Sequence, residues 1–152
     1  MSEETRFLKS VEDIHKGHFD VEFNMGFQKF DPYADRVQPV HSAATFPTET
    51  RNPTLEPKKS FHYIDIASVD TISGQIVETK GIIGQDAPSR ARQVVRSGDI
   101  IVSTVRPTRG ATAIIPDEMD DYICSTGFTI VRAKQKKVLP EYLHIALRLS
   151  TT

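Results

Sequence analysis

The sequence predicts an α+β domain in which a strongly bent, mixed or mostly antiparallel sheet, or partial barrel, carries a short N-terminal and a short C-terminal helix. Three observations predict this class. From Phe61 onward, short segments rich in Ile, Val, Thr and Tyr alternate with Gly, Asp, Ser and Pro, which is typical of β-structure. Apolar residues recur at helical spacing near both ends of the chain. The segment 31–60 holds five of the nine prolines, which argues against regular helix or a central strand there.

Length and composition indicate one domain, residues 1–152. The chain is long enough to bury a core without disulfides or a structural metal. Apolar residues at 38% and charged residues at 26% argue against wholesale disorder. We divide the domain into a variable helix and Pro-rich loop region at 1–60, a β-rich core at 61–133 and a terminal helix at 139–150. No apolar run approaches the ~20 residues that cross a bilayer, and the polar start lacks a secretory signal, so we expect a cytoplasmic protein.

Two helices are predicted at the ends. The first covers residues 5–16, where Gly17 suits a C-terminal stop after the apolar positions Phe7, Leu8, Val11 and Ile14. Residues 31–60 follow as a long loop. Pro140 suits the first position of the terminal helix, and an apolar stripe comes after it: Tyr142, Leu143, Ala146, Leu147 and Leu149.

The predicted strands lie between the loop and the terminal helix. Each is a short run of β-branched or aromatic residues bounded by turn-forming residues. Their ranges are 61–67, 75–79, 93–95, 99–105, 112–115, 122–125 and 128–132.

The net charge of −1 conceals a polarised distribution. Residues 80–109 hold six basic residues against two acidic ones, and residues 132–137 hold four basic residues and no acid. The first 36 residues hold eight acids against five bases. A local basic face allows a nearly neutral protein to bind polyanions.

Five arginines gather around the apolar run Ile100–Val102, accompanied by small hydroxyl residues and glycines. Arg clamps phosphate and reads guanine, whereas Ser and Thr serve phosphate and base edges alike. The candidate DNA-binding residues are therefore Ser89, Arg90, Arg92, Arg96, Ser103, Thr104, Arg106, Thr108 and Arg109. The alternative is a solvated rim, in which arginines keep the strand ends wet and discourage edge pairing.

Catalytic and metal sites find little support in the sequence. The strand after Gly98-Asp99 resembles that of Ser-Lys proteases, but Arg106 and Arg109 stand where a lysine base would be needed, and Arg cannot act as that base. The single Cys124 excludes an internal disulfide, and we expect it to be buried. The five histidines are scattered and the carboxylates look like turn and loop acids, so we expect no enzyme, no cofactor and no metal.

A series of motifs resembles a known family. In order, the chain contains FHYIDIASVD at 61–70, APSRAR at 87–92, SGDIIVSTVRP at 97–107, STGF at 125–128 and PEYL at 140–143. As a set they resemble the target recognition domain of the specificity (S) subunit of Type I restriction-modification systems. The resemblance covers residues 61–147 and implies a fold of the DNA methylase specificity domain type.

The resemblance implies a non-catalytic module that reads one half of a bipartite double-stranded DNA target. Its implied partners are methyltransferase (M) subunits, which use S-adenosylmethionine to methylate adenine, and restriction (R) subunits, which use ATP to translocate and cleave DNA. No membrane is implied. On this interpretation Arg90 and Arg92 contact phosphates or bases, Arg106 and Arg109 position the DNA backbone, and both loops open on one edge of the sheet.

Several alternatives stay open at this point. S subunits of this family carry two such domains separated by long spacer helices, and the sequence stops where the first spacer would begin. We expect a truncated piece, with a half-subunit or a stand-alone relative as alternatives. Base reading is expected in the less typical segments, at 20–60 or 106–111. From another class, a protein-interaction module would dock a partner through the Pro-rich segment and the terminal helix.

Overall fold

The computed structural model describes residues 40–105 and 111–150 of the chain. Within these ranges there are two α-helices, α1 (Val40–Ala43) and α2 (Pro140–Ser150). The strands of the same ranges are β1 (Ala44–Thr45), β2 (Ser60–Ile64), β3 (Val69–Asp70), β4 (Gln75–Ile76), β5 (Lys80–Ile83), β6 (Ala91–Val94), β7 (Ile100–Ser103), β8 (Thr112–Ile114), β9 (Ile123–Ser125) and β10 (Phe128–Ala133). Single turns of 3₁₀ helix lie at Pro53–Leu55, Ile66–Ser68, Gly84–Asp86 and Asp117–Met119. None of the described helices is long and apolar enough to cross a membrane.

The strands form two four-stranded sheets and a small hairpin. The first sheet has the order β1-β10-β7-β8, and every pair in it is antiparallel. The second has the order β5-β2-β9-β6, in which β2 and β9 are parallel and the other pairs antiparallel. The strands β3 and β4 pair only with each other among the described residues. The predicted α+β class with a mixed, mostly antiparallel sheet is confirmed, and the described strands do not close into a barrel.

The two sheets join at the turn Thr126–Gly127, where the chain passes from β9 to β10. Gln93 spans this turn, because its Nε2 donates hydrogen bonds of 2.8 Å to the carbonyl oxygens of both Ser125 and Phe128. A Cβ added at Gly127 would lie 2.9 Å from Cδ1 of Ile66, so a larger residue there would require the Ile66 side chain to move. The turn therefore fixes how the second sheet meets the first.

Strand β7 lies at the centre of the core and is buried on both faces. Ile100 and Val102 pack into one apolar cluster, together with Leu143 and Leu147 of α2. Ile101 points to the other side and packs into a second cluster. Alternation along a strand sends successive side chains to opposite faces, and both faces of β7 are covered. This explains why its sequence is an uninterrupted apolar run.

A buried ion pair stands at the start of β7. The side chain of Asp99 is fully buried, and Arg132 of β10 donates to it from Nε (2.6 Å to Oδ1) and from Nη2 (2.8 Å to Oδ2). The backbone N–H of Arg96 adds a third bond, 2.8 Å from Oδ2. The hydrogen bond with this carboxylate raises the pKa of the Arg132 guanidinium. A buried carboxylate is costly unless it is paired in this way.

Most predicted elements are confirmed, with shifts at their ends. Helix α2 starts at Pro140 as predicted, although Leu149 of its apolar stripe is exposed. The predicted strand 61–67 is too long, because Asp65 caps the 3₁₀ turn Ile66–Ser68 with a reciprocal Asp–Ser capping box. The predicted helix 5–16 lies outside the described residues.

Three strands escape the sequence analysis: β1, β3 and β5. Strand β1 falls within the segment predicted as a long loop and pairs with the end of β10, Ala44 opposite Ala133. Among the described strands, β5 is an outer strand that pairs with β2 alone, and Gly81 and Ile83 are exposed. Such strands depend on a partner strand and carry little apolar alternation of their own.

We expect Arg132→Ala to lower the free energy of unfolding by about 2–3 kcal/mol, because it leaves the Asp99 carboxylate buried without its main partner. The effect stays below the ~3–5 kcal/mol of fully buried pairs, since the side chain of Arg132 is 39% exposed. Urea denaturation measures the change. As a control, Lys136→Ala, an exposed residue, should change stability by less than about 0.5 kcal/mol. Equal urea midpoints for the two variants would contradict this role of the pair.

Gly81 within β5 and Gly84 directly after it should respond differently to alanine. A Cβ at Gly84 would lie 2.2 Å from the Pro53 carbonyl oxygen and 2.3 Å from that of Glu56, so Gly84→Ala should destabilise the fold by about 1–3 kcal/mol. A Cβ at Gly81 meets nothing within 4 Å, so Gly81→Ala should be neutral or stabilising by up to about 1 kcal/mol. Thermal unfolding of both variants checks the contrast, and a similar loss in both would refute it.

Candidate nucleic-acid interface

The first predicted DNA-binding loop and the described start of the second, Ser103–Val105, meet at the β9–β10 turn. The backbone N–H of Thr126 donates to the carbonyl oxygen of Arg90 (2.9 Å), and the N–H of Thr104 donates to that of Gly127 (2.9 Å). We call this surface the corner edge; it comprises the loop Pro88–Ala91, the segment Ser103–Val105 and the turn Thr126–Gly127. The described residues of both predicted loops therefore lie on one edge of the structure.

Ser89 and Arg90 form the exposed tip of the first loop. The loop closes through a hydrogen bond from the Ala91 N–H to the Pro88 carbonyl oxygen (2.9 Å). The guanidinium of Arg90 has no ion pair or hydrogen bond with another described residue. Its charge is therefore available to an external anion.

Arg92 follows the tip and is half-buried. Its Nη1 donates to the carbonyl oxygen of Ala91 (2.8 Å) and to that of Pro88 (3.4 Å). The side chain thus folds back over the loop that carries Arg90. Arg90 and Arg92, grouped in the sequence analysis, occupy different environments.

The hydroxyls of Ser103 and Thr104 bind within the protein. Ser103 is buried, and its Oγ donates to the carbonyl oxygen of Val105 (2.9 Å). Oγ1 of Thr104 donates to the carbonyl oxygen of Gly127 (3.0 Å). These hydroxyls stabilise the backbone of the corner edge, and both donate their protons to carbonyl oxygens within the protein.

Arg106, Thr108 and Arg109 lie outside the described residues. Val105, which precedes them, belongs to the corner edge, and the carbonyl oxygen of Ala111, which follows them, accepts a 2.8 Å hydrogen bond from the Ser103 N–H of that edge.

Arg96 is placed far from the corner edge, at the other end of β6. Its Nη2 donates to Oε1 of Glu49 (2.6 Å) and its Nη1 to Oδ1 of Asp121 (2.9 Å). The hydrogen bonding with Glu49 raises the pKa of Arg96. Arg51 joins the same group through a two-pronged pair with Asp121, and its hydrogen bond lowers the pKa of that carboxyl. Structure thus separates Arg96 from the other predicted site residues.

The sequence analysis missed Thr126 and the pair Asp65–Lys80 as neighbours of the corner edge. Thr126 is exposed on the turn itself. Asp65 follows β2, which runs parallel to β9, and it accepts a hydrogen bond from Lys80. Burial raises the pKa of Asp65, but hydrogen bonds from Lys80 and Ser68 outweigh it and leave the pKa below its usual value. The Asp-x-x-Ser spacing from Asp65 to Ser68 was the available signal for this cap.

The other chemically reactive residues are held in structural positions. Cys124 is fully buried as predicted, and burial raises its pKa to about 12, so it is not a nucleophile at neutral pH. His62 stacks on Tyr122 with ring centroids 4.5 Å apart, and His144 is buried beside the carbonyl oxygen of Thr112. In the described ranges, no three His, Cys, Asp or Glu side chains are grouped so as to hold a metal ion.

Comparison with known proteins gives a consistent picture. No family model matches the chain. Over 63 residues, 41% of its length, the chain is 33% identical to the Type I restriction enzyme HindI specificity subunit of Haemophilus influenzae, and the match spans 14% of that protein. The crystal structure of the HsdS subunit from Thermoanaerobacter tengcongensis is similar with a TM-score of 0.65 and 47% identity, over 68% of this chain and 26% of that one.

This chain contains a Type I restriction-modification specificity subunit domain. A second solved structure, from work on complex assembly and conformational transition of the type I R-M system, supports this with a TM-score of 0.65 and 43% identity, over 70% of this chain and 29% of that one. The chain spans less than a third of each of these relatives. They are specificity subunits, in agreement with the expectation that this specificity domain is not an enzyme.

We expect Arg96→Ala to loosen the segment around Arg51 in the specificity domain, because Glu49 loses its partner. The network is partly exposed, so the effect should be about 0.5–1 kcal/mol, or a two- to fivefold faster amide exchange. The amide to follow is that of Arg51, which donates to the Arg92 carbonyl oxygen (2.8 Å). Arg90→Ala should leave this exchange rate unchanged, and an equal rise in both variants would contradict the separation of the two arginines.

Proposed function

We propose that the specificity domain binds double-stranded DNA through the corner edge and reads one half of a bipartite target, without chemistry of its own. The observation that carries this proposal is the side chain of Arg90, which stands exposed and without an intramolecular partner among the described residues at the tip of a closed loop. Guanidinium groups bind phosphate and the guanine edge in a two-pronged manner. The family of the domain supplies the reason to expect DNA as the anion.

The surroundings of Arg90 suit a nucleic-acid backbone. Ser89 and Thr126 offer exposed hydroxyls within the same edge, and small hydroxyl donors commonly contact phosphate oxygens. Residues 106–110, which carry the predicted DNA-binding residues Arg106, Thr108 and Arg109, connect the flanking residues Val105 and Ala111. These three residues therefore stay part of the proposed interface, and residues 20–60 and 106–111 stay the proposed base-reading segments.

The remaining proposals concern the whole assembly. We infer a single target recognition domain at 1–152, with a variable region at 1–60, a β-rich core at 61–133 and a terminal helix at 139–150. It would act in the cytoplasm with M and R subunits, which would supply methylation and cleavage. One such module buries roughly 600–1,000 Å² of protein surface on DNA, and its non-specific affinity is expected at about 10⁻⁴ to 10⁻⁶ M.

A second candidate function rests on the exposed apolar side chains on α2 and beside it. Leu139, Ile145 and Leu149 are 67%, 54% and 56% exposed, and Ile72 of the neighbouring β3–β4 turn is 87% exposed. Arg148 holds this turn beside the helix by donating to the carbonyl oxygen of Ser73 (3.0 Å). An exposed apolar face of this kind suits docking to a partner protein. In the proposed complex, the same face would pack against a spacer helix or the M subunit.

Fluorescence anisotropy with a labelled random-sequence duplex at several salt concentrations tests the first proposal. Wild-type binding should weaken steeply with salt, because each neutralised phosphate contributes about −0.9 to the slope of log affinity against log salt. Arg90→Ala should lower affinity about tenfold and make the slope shallower by about 0.9.

Lys136→Ala is the control, since Lys136 is an exposed cation that follows the end of β10 opposite the Thr126–Gly127 turn. It should bind like the wild type. Heparin distinguishes the two candidate functions. As a polyanion it competes with DNA for the arginine side chains, whereas it does not affect binding at an apolar docking face. Absence of wild-type binding at low salt would reject the DNA proposal for the isolated domain.

A further inference from the structure

We propose that Arg92 is a positioning residue, which braces the Pro88–Ala91 loop so that Arg90 is presented to DNA, and does not itself contact the DNA. This inference rests on the proposed function and assigns different roles to the two neighbouring arginines. The sequence does not distinguish these two arginines, since both precede the same predicted strand.

The geometry of Arg92 carries the proposal. Its Nη1 donates to two carbonyl oxygens of the loop, those of Ala91 (2.8 Å) and Pro88 (3.4 Å). The Pro88 oxygen also accepts the closing bond from the Ala91 N–H (2.9 Å). Arg92 therefore reinforces the hydrogen bond that closes the loop around Ser89 and Arg90.

A second contact anchors the same loop from the other side. The carbonyl oxygen of Arg90 accepts a hydrogen bond from the Thr126 N–H (2.9 Å). The backbone of Arg90 is thus held by the β9–β10 turn, while its side chain remains exposed. Because these two sets of hydrogen bonds fix the backbone of the loop, Arg90 loses less conformational freedom on binding an anion than it would on an open loop.

Lys80 and Arg96 differ from Arg92 in their partners. Lys80 pairs with the carboxylate of Asp65, and Arg96 with that of Glu49. In those pairs the carboxylate neutralises the charge of the cation. Arg92 instead donates hydrogen bonds to neutral carbonyl oxygens of its own loop. Its charge is not neutralised by them, so the electrostatic potential at the loop stays positive for an approaching polyanion.

The test is a double-mutant cycle of Arg90→Ala and Arg92→Met, measured by anisotropy on the random-sequence duplex across salt concentrations. If Arg92 acts through Arg90, Arg92→Met alone should weaken binding about three- to tenfold. In the Arg90→Ala background, the same change should alter affinity less than twofold. The double variant should then show the salt slope of Arg90→Ala, shallower than wild type by about 0.9.

Amide exchange of the free protein gives an independent measurement. The N–H groups of Ala91 and Thr126, which close and anchor the loop, should exchange about five times faster in Arg92→Met. Arg92→Lys keeps the charge but ends one bond short of Nη1, so it should behave like Arg92→Met in exchange and in affinity. Lys136→Met, which removes an exposed cation outside the corner edge, should leave these amides unchanged.

Several outcomes would overturn the positioning role. Independent losses, with a slope shallower by about 1.8 in the double variant, would make Arg92 a direct phosphate contact. Full binding by Arg92→Lys would indicate the same. An equal loss from Arg92→Met in both backgrounds, without a change in salt slope, would leave only a general structural effect. Unchanged exchange of the Ala91 and Thr126 amides would show that Arg92 does not brace the loop. Failure of the wild type to bind the duplex would instead reject the proposed function, and the positioning role with it.

Discussion

The turn at Thr126 and Gly127 is the constraint on which the corner edge depends. It carries the chain from one sheet to the other, and its backbone also binds the loop of Arg90 on one side and Thr104 on the other. Gln93 fixes both flanks of the turn with its side-chain amide. Two segments that are distant in sequence therefore form one surface, because a single turn supplies hydrogen bonds to both.

Electrostatics divides the described part of the domain into two ends. Around Arg96, carboxylates of Glu49 and Asp121 neutralise the guanidinium groups and tie the segment at 49–51 to β6. At the corner edge, Arg90 retains an exposed charge. Exposed ion pairs contribute little stability. The main consequence of this distribution is that the positive charge of Arg90 is left unpaired by the described residues, whereas that of Arg96 is neutralised. A domain with a net charge near zero can therefore still carry a local site for an anion.

Burial of β7 on both faces gives the edge a rigid base. Its apolar residues pack against α2 on one side and against the second cluster on the other. The Asp99–Arg132 pair fixes the start of the strand, and Ser103 and Thr104 shape its end through backbone contacts. Ser103 and Thr104, which the sequence analysis selected as DNA-binding candidates, thus use their hydroxyls to shape this edge. The described residues with exposed polar groups there are Ser89, Arg90 and Thr126.

The sequence alone determined the fold class, the terminal helix from Pro140 and most core strands, because these depend on local apolar periodicity and turn residues. The ordered motifs determined the family. Tertiary structure decided how the arginines differ: Arg90, Arg92 and Arg96 are spaced two to four residues apart, yet they face solvent, backbone carbonyls and carboxylates respectively. No local pattern encodes this difference, because the partners of Arg96 come from Glu49 and Asp121, which only folding brings to it. Short outer strands such as β5 were equally hidden, since their stability comes from the neighbouring strand.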